Sequence, residues 1–158
     1  GKPICRLKLK AMKTKIQKGT FREWLTAEEL HEESKKWSSE LKFAKDEQKF
    51  LNSMVKDYTL DIIDSDMFNT VQPVVEALSK SEKELVDLFK KVQLHENQLQ
   101  IMVDDVNQNR MENAYLDTHA DLEKEMERYF IKYREAKNKI FDIVSQVIKR
   151  KKQKRLLN

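Results

Sequence analysis

Turn-forming and cross-linking residues are almost missing from this chain, which has two glycines, two prolines and one cysteine in 158 residues. With so few turn formers, a sandwich or barrel of many short strands has no punctuation, and a glycine-rich phosphate loop cannot be built. Cys5 has no second cysteine for an intramolecular disulfide and no local context that would depress a thiol pKa. No Asn-x-Ser/Thr sequon and no His-Glu-x-x-His motif occur. The fully apolar runs are about three residues long, as at Ile101, Met102 and Val103, so neither a membrane span nor a secretory hydrophobic region is expected. The expected compartment is the cytoplasm.

What is present is charge and helix-forming residues. Charged residues make up 37% and hydrophobic ones 39%, a balance too apolar for general disorder. The net charge of +4 hides an asymmetry. Residues 1–22 carry eight Lys/Arg and no acid, and residues 149–155 carry six Lys/Arg and no acid. The remaining 17 basic residues face all 27 acids, so residues 23–148 have a net charge of −10 between basic ends.

The hydrophobic pattern predicts three long helices, at about 26–62, 67–106 and 110–150. Thr26 with Glu29 has capping-box spacing, and Leu25 with Leu30 has the spacing of a hydrophobic staple. From there Leu30, Ser34, Trp37, Leu41, Ala44, Gln48, Leu51, Val55, Tyr58 and Ile62 alternate steps of four and three, which keeps one face inward. A break is expected at 61–66, where Asp64, Ser65 and Asp66 offer capping oxygens, followed by Thr70 as a cap with Pro73 in the first turn. The second seam runs from Val71 through Leu78, Ser81, Leu88 and His95 to Val106. Asn109 with Glu112 opens a third, from Tyr115 through His119, Tyr129 and Tyr133 to Val147.

Short connections favour antiparallel neighbours. The expected fold is therefore all-α, an elongated antiparallel three-helix, up-down-up bundle over residues 25–150. A basic arm, 1–24, precedes it and a basic tail, 151–158, follows. The arm is open to two readings: Cys5, Leu9, Met12 and Ile16 fit a short fourth helix, whereas Leu7 to Lys10 alternate like a strand. Phe21 and Trp24 are expected to plug the bundle end. With long heptad helices and Trp37 in the first, the arrangement is similar to three-helix repeats of the spectrin kind, a likeness of architecture from which no function is carried over.

Two constellations could carry function. Glu28 and His31 have the Glu-x-x-His spacing that di-metal bundles use on two helices, but here it occurs once. If the turns centre near 65 and 108, facing residues sum to about 130 across the first hairpin and about 216 across the second. His31 then lies level with Leu99 and His119 with Asn97, beside His95, with Glu96, Asp121 and Tyr115 about a turn away. His31, His95, His119 and Glu28 would be the ligands of a zinc or iron ion. Read differently, the same histidines are neutral, hydrogen-bonded polar positions that set the helix register. The seam aromatics Trp37, Tyr58, Tyr115, Tyr129 and Tyr133 are read as core filler whose hydroxyls need partners, with Gln48 or His119 to supply them.

The second constellation is the basic ends. Lys8, Lys10, Lys13 and Lys15, with Lys149, Arg150, Lys151, Lys152, Lys154 and Arg155, suit a nucleic-acid backbone or an acidic membrane surface, or serve as counter-charges to the acidic body. The expected function is a non-enzymatic interaction or scaffold protein with a protein partner or a second copy. The alternatives are an anion-binding adaptor and a metal-binding bundle protein, and no cofactor is expected beyond such a metal.

Overall fold

A computed structural model describes residues 27–102 and 108–157. The basic arm with Lys8, Lys10, Lys13 and Lys15, the Thr26 cap, the Phe21 and Trp24 plug, Val106 and the side chains of Leu99, Met102 and Asn109 lie outside the described residues. Among those described, only Tyr58, Ser65, Asp66 and Met67 are not helical, and no strand occurs, so the chain is all-α. The helices are α1 (Ala27–Asp57), α2 (Thr59–Asp64), α3 (Phe68–Met102) and α4 (Gln108–Leu157). None of them is long and apolar enough to cross a membrane.

The boundaries depart from the sequence reading at three places. The first helix divides at Tyr58, which takes φ −99° and ψ 10°. The hydroxyl of Thr59 donates to the Val55 carbonyl at 3.0 Å, competing with the backbone for an i−4 acceptor, which bends or interrupts helices. Next, α3 starts at Phe68, so Thr70 is inside the first turn rather than capping it. The N–H groups of Thr70 and Val71 donate to the Met67 carbonyl at 3.1 and 2.9 Å. Pro73 then lies deeper in the helix than expected, where its missing N–H removes the bond the Asn69 carbonyl would accept. Finally, α4 runs past residue 150 to Leu157, so the C-terminal basic run is helical.

The turn after α2 explains the early start of α3. Met67 N–H bonds the Ile62 carbonyl at 3.2 Å and Asp66 N–H bonds the Ile63 carbonyl at 3.1 Å, the two bonds of a Schellman motif. Asp66 holds the left-handed position, φ 59°, usually given to glycine. Ile62 and Met67, the pair whose apolar contact accompanies this motif, are both buried. Once Met67 is fixed in that turn, its carbonyl is free to begin α3.

The four-three seam accounts for the core. Every described seam position of α3 and α4 is buried, and so is every one in α1 up to Leu51, including the polar Ser34, Gln48, Ser81, His95 and His119. Only Val55 and Tyr58, where α1 ends, are half-buried. Contacts group the described residues into two compact units, 27–41 with 87–102 and 108–127, and 42–86 with 128–157, and α1, α3 and α4 each give one stretch to both.

The second unit has a polar core element that joins α1, α3 and α4. Gln48 Nε2 donates to Ser81 Oγ at 2.9 Å and to Tyr129 Oη at 2.8 Å, and Ser81 Oγ donates to Tyr129 Oη at 3.1 Å. Gln48 is thus the partner that the seam tyrosine needs. Its amide has two donors, both used, so a shift of any one helix leaves a buried polar group unpaired. Nearby, Glu47 accepts from Tyr133 Oη at 2.5 Å and from Lys137 Nζ at 3.0 Å. Burial raises the Glu47 pKa, but these two hydrogen bonds together hold it below the usual carboxylate value.

Candidate functional site

The histidines belong to the first unit. His95 from α3 and His119 from α4 are almost wholly buried, and their ring nitrogens Nε2 and Nδ1 lie 2.9 Å apart, a hydrogen bond between imidazoles. Aromatic rings flank the pair. Trp37 of α1 stacks on His119 with centroids 4.5 Å apart, and Tyr115 stacks on His95 at 4.2 Å. Glu33 Oε2 sits 3.7 Å from His119 Nε2. Which imidazole donates between Nε2 of His95 and Nδ1 of His119 is set by the tautomers of the two rings.

Burial sets the protonation of this cluster. His95 is pushed down to about 4, chiefly by burial; the Gln98 side chain opposes the shift and nearby His31 adds to it. His31 is half-buried and also lowered, by burial first and the Lys35 cation second, against the opposing fields of Glu96 and Glu32. The Tyr115 hydroxyl is raised by burial, with Glu96 and Glu33 adding to the shift and Ser34 opposing it. Ser34 faces that hydroxyl but donates its own proton to the Leu30 carbonyl at 3.1 Å. The Tyr115 Oη and His31 Nδ1 atoms are buried without a hydrogen-bond partner.

Two of the three predicted histidines are therefore in contact, and the third is close enough to disfavour charge on His95. Glu28, the proposed fourth ligand, is exposed, and its field acts on Lys35. The facing nitrogens of His95 and His119 bond each other. Among the described residues, no group of three or more His, Cys, Asp or Glu is arranged to hold a metal ion. Asp121 is exposed, whereas Glu96 is half-buried and accepts from Ser38 Oγ at 2.8 Å. Sequence reasoning missed Glu33, which lies beside the seam, and the burial of Glu112 one turn before Tyr115. Glu33 falls one position before the seam residue Ser34, whereas Glu112 lies on the four-three pattern itself, three residues before Tyr115, so extending that seam back by one step was the available signal.

The C-terminal cations are all exposed on the last turns of α4. Two of them reach the α2 turn: Arg150 Nη1 donates to the Ser65 carbonyl at 2.6 Å, and Lys151 Nζ lies 3.4 Å from Asp61 Oδ2. Lys149, Lys152, Lys154 and Arg155 close no ion pair with another described residue. No protein-family model, curated protein or solved structure matches this chain.

Proposed function

We propose that this protein is a non-enzymatic helical interaction module, in which α1, α3 and α4 form an up-down-up bundle and an outer face of α1 docks a protein partner, a second copy included. Two sets of bonds support the bundle topology. In the first unit, Lys91 pairs with Glu125 and His95 with His119, so residue numbers rise along α3 as they fall along α4. In the second, Glu47 pairs with Lys137 and Asp61 with Lys151, so numbers rise together from α1 through α2 and along α4.

The observation that carries the docking proposal is a pair of phenylalanines. Phe43 and Phe50 are 69% and 58% exposed and lie two turns apart on one face of α1, with half-buried Met54 one turn further on. A single exposed large side chain is ordinary, but a repeat at helical spacing is the pattern of an interface anchor. The test is sedimentation equilibrium across a wide concentration range, together with a photo-crosslinking residue placed at Phe43. Association lost in a Phe43→Ser/Phe50→Ser variant of unchanged melting temperature is the expected result. A chain that stays monomeric and crosslinks to nothing above a control at exposed Lys124 refutes the reading.

A further inference from the structure

A second surface, on a different helix, has its own chemistry. We propose that the outward face of α4 between Ile131 and Leu156 binds an acidic membrane surface. This stretch covers about 38 Å at the helical rise of 1.5 Å per residue. Ile131, Asn138, Ser145 and Lys152 recur every seven residues, with Arg134, Phe141, Ile148, Lys149 and Leu156 within a turn of them on the same side.

The face is both apolar and basic. Ile131, Phe141 and Leu156 are 56%, 41% and 87% exposed. Arg134, Lys149 and Lys152 are exposed and close no ion pair among the described residues. Asp142 is the acid within the face, and Glu135 borders it. The tethers of the last turns fix its direction, because Arg150 and Lys151 point to Ser65 and Asp61 while Lys149, Lys152 and Leu156 emerge on the opposite side.

The interleaving selects the partner. A nucleic-acid backbone would take up the cations but leave the isoleucine, phenylalanine and leucine in water. An acidic bilayer takes both, with guanidinium and ammonium groups at the lipid phosphates and the apolar side chains just below them. The helix lies along the surface and does not cross it.

Co-sedimentation of the full chain with phosphatidylcholine vesicles containing about one third phosphatidylserine tests the proposal. Binding at low salt, release at high salt and no binding to phosphatidylcholine alone are expected. Phe141→Ser/Leu156→Ser and Lys149→Glu/Lys152→Glu should each weaken binding by at least about tenfold, with helicity and melting unchanged. Lys149→Arg/Lys152→Arg should retain it, and so should Phe43→Ser/Phe50→Ser, which separates this surface from the α1 face. Failure to sediment at low salt overturns the proposal. So do undiminished binding by the Phe141→Ser/Leu156→Ser variant, loss of binding in the Phe43→Ser/Phe50→Ser variant, and displacement by duplex DNA that binds both double serine variants equally.

Discussion

Acid should loosen the first unit by a route that can be isolated at His95. This imidazole is 1% exposed, and burial holds its pKa down to about 4, against 6.5 for a free histidine. Because the folded value is depressed, the unfolded chain takes the proton first. The stability contribution is complete above pH 6.5, falls as pH drops from 6.5 to about 4, and is constant below that. A fall from 6.5 to about 4 corresponds to roughly 3 kcal/mol in full, of which about 2 kcal/mol is gone by pH 5. Urea unfolding followed by circular dichroism at several pH values, at constant salt, measures the loss. His95→Gln supplies the reference, since its amide can donate to or accept from His119 Nδ1 but does not titrate. His119, His31, Glu33, Lys35, Glu96, Glu112, Tyr115 and Gln98 are present in both proteins, so their contributions largely cancel. Wild type should lose about 2 kcal/mol more than the variant between neutral pH and pH 5. Parallel curves would refute a neutral, buried His95.

Other perturbations follow from particular contacts. Asp66→Gly relieves the left-handed backbone of the α2 turn and should raise stability by up to about 1 kcal/mol in urea unfolding, after the greater unfolded-state freedom of glycine is offset. Gln48→Leu takes the amide from two buried hydroxyls, Ser81 and Tyr129, and should destabilise by about 1–3 kcal/mol, whereas Tyr129→Phe should cost less because Gln48 keeps Ser81. Glu47→Gln removes the charge that Lys137 and Tyr133 satisfy. Its carboxylate has a depressed pKa, so the stability it adds is present above the usual carboxylate range and lost as pH falls below it. The variant should therefore be less stable than wild type at neutral pH, with the gap closing in acid.

Much of the fold was legible because a buried helix face repeats at a period the sequence displays directly. Leu30 to Leu51, Val71 to His95 and Tyr115 to Val147 were placed inward by spacing alone, including polar members that composition would have put outside. Helix ends were harder, since they depend on individual hydrogen bonds. A threonine hydroxyl at Thr59 and an aspartate in the left-handed region at Asp66 each moved a boundary that spacing had put elsewhere. Of the candidate site, the common level of the histidines followed from counting residues back from two turns. Which ring atoms meet did not, because a rotation of a few tens of degrees about a helix axis separates a ligand set from a hydrogen-bonded pair.

By itself, then, the sequence determined the all-α class, the register of three seams and the separation of basic ends from an acidic centre. These are properties of composition and period, and they survive any small error in geometry. Only the tertiary structure decided that His95 spends its Nε2 on His119, that Gln48 serves two hydroxyls, and that Lys149, Lys152 and Leu156 turn away from the residues that hold Arg150 and Lys151. Hydrogen bonding acts over about 3 Å and depends on angle, so it is settled by how helices rotate against one another, a quantity that no single helix encodes.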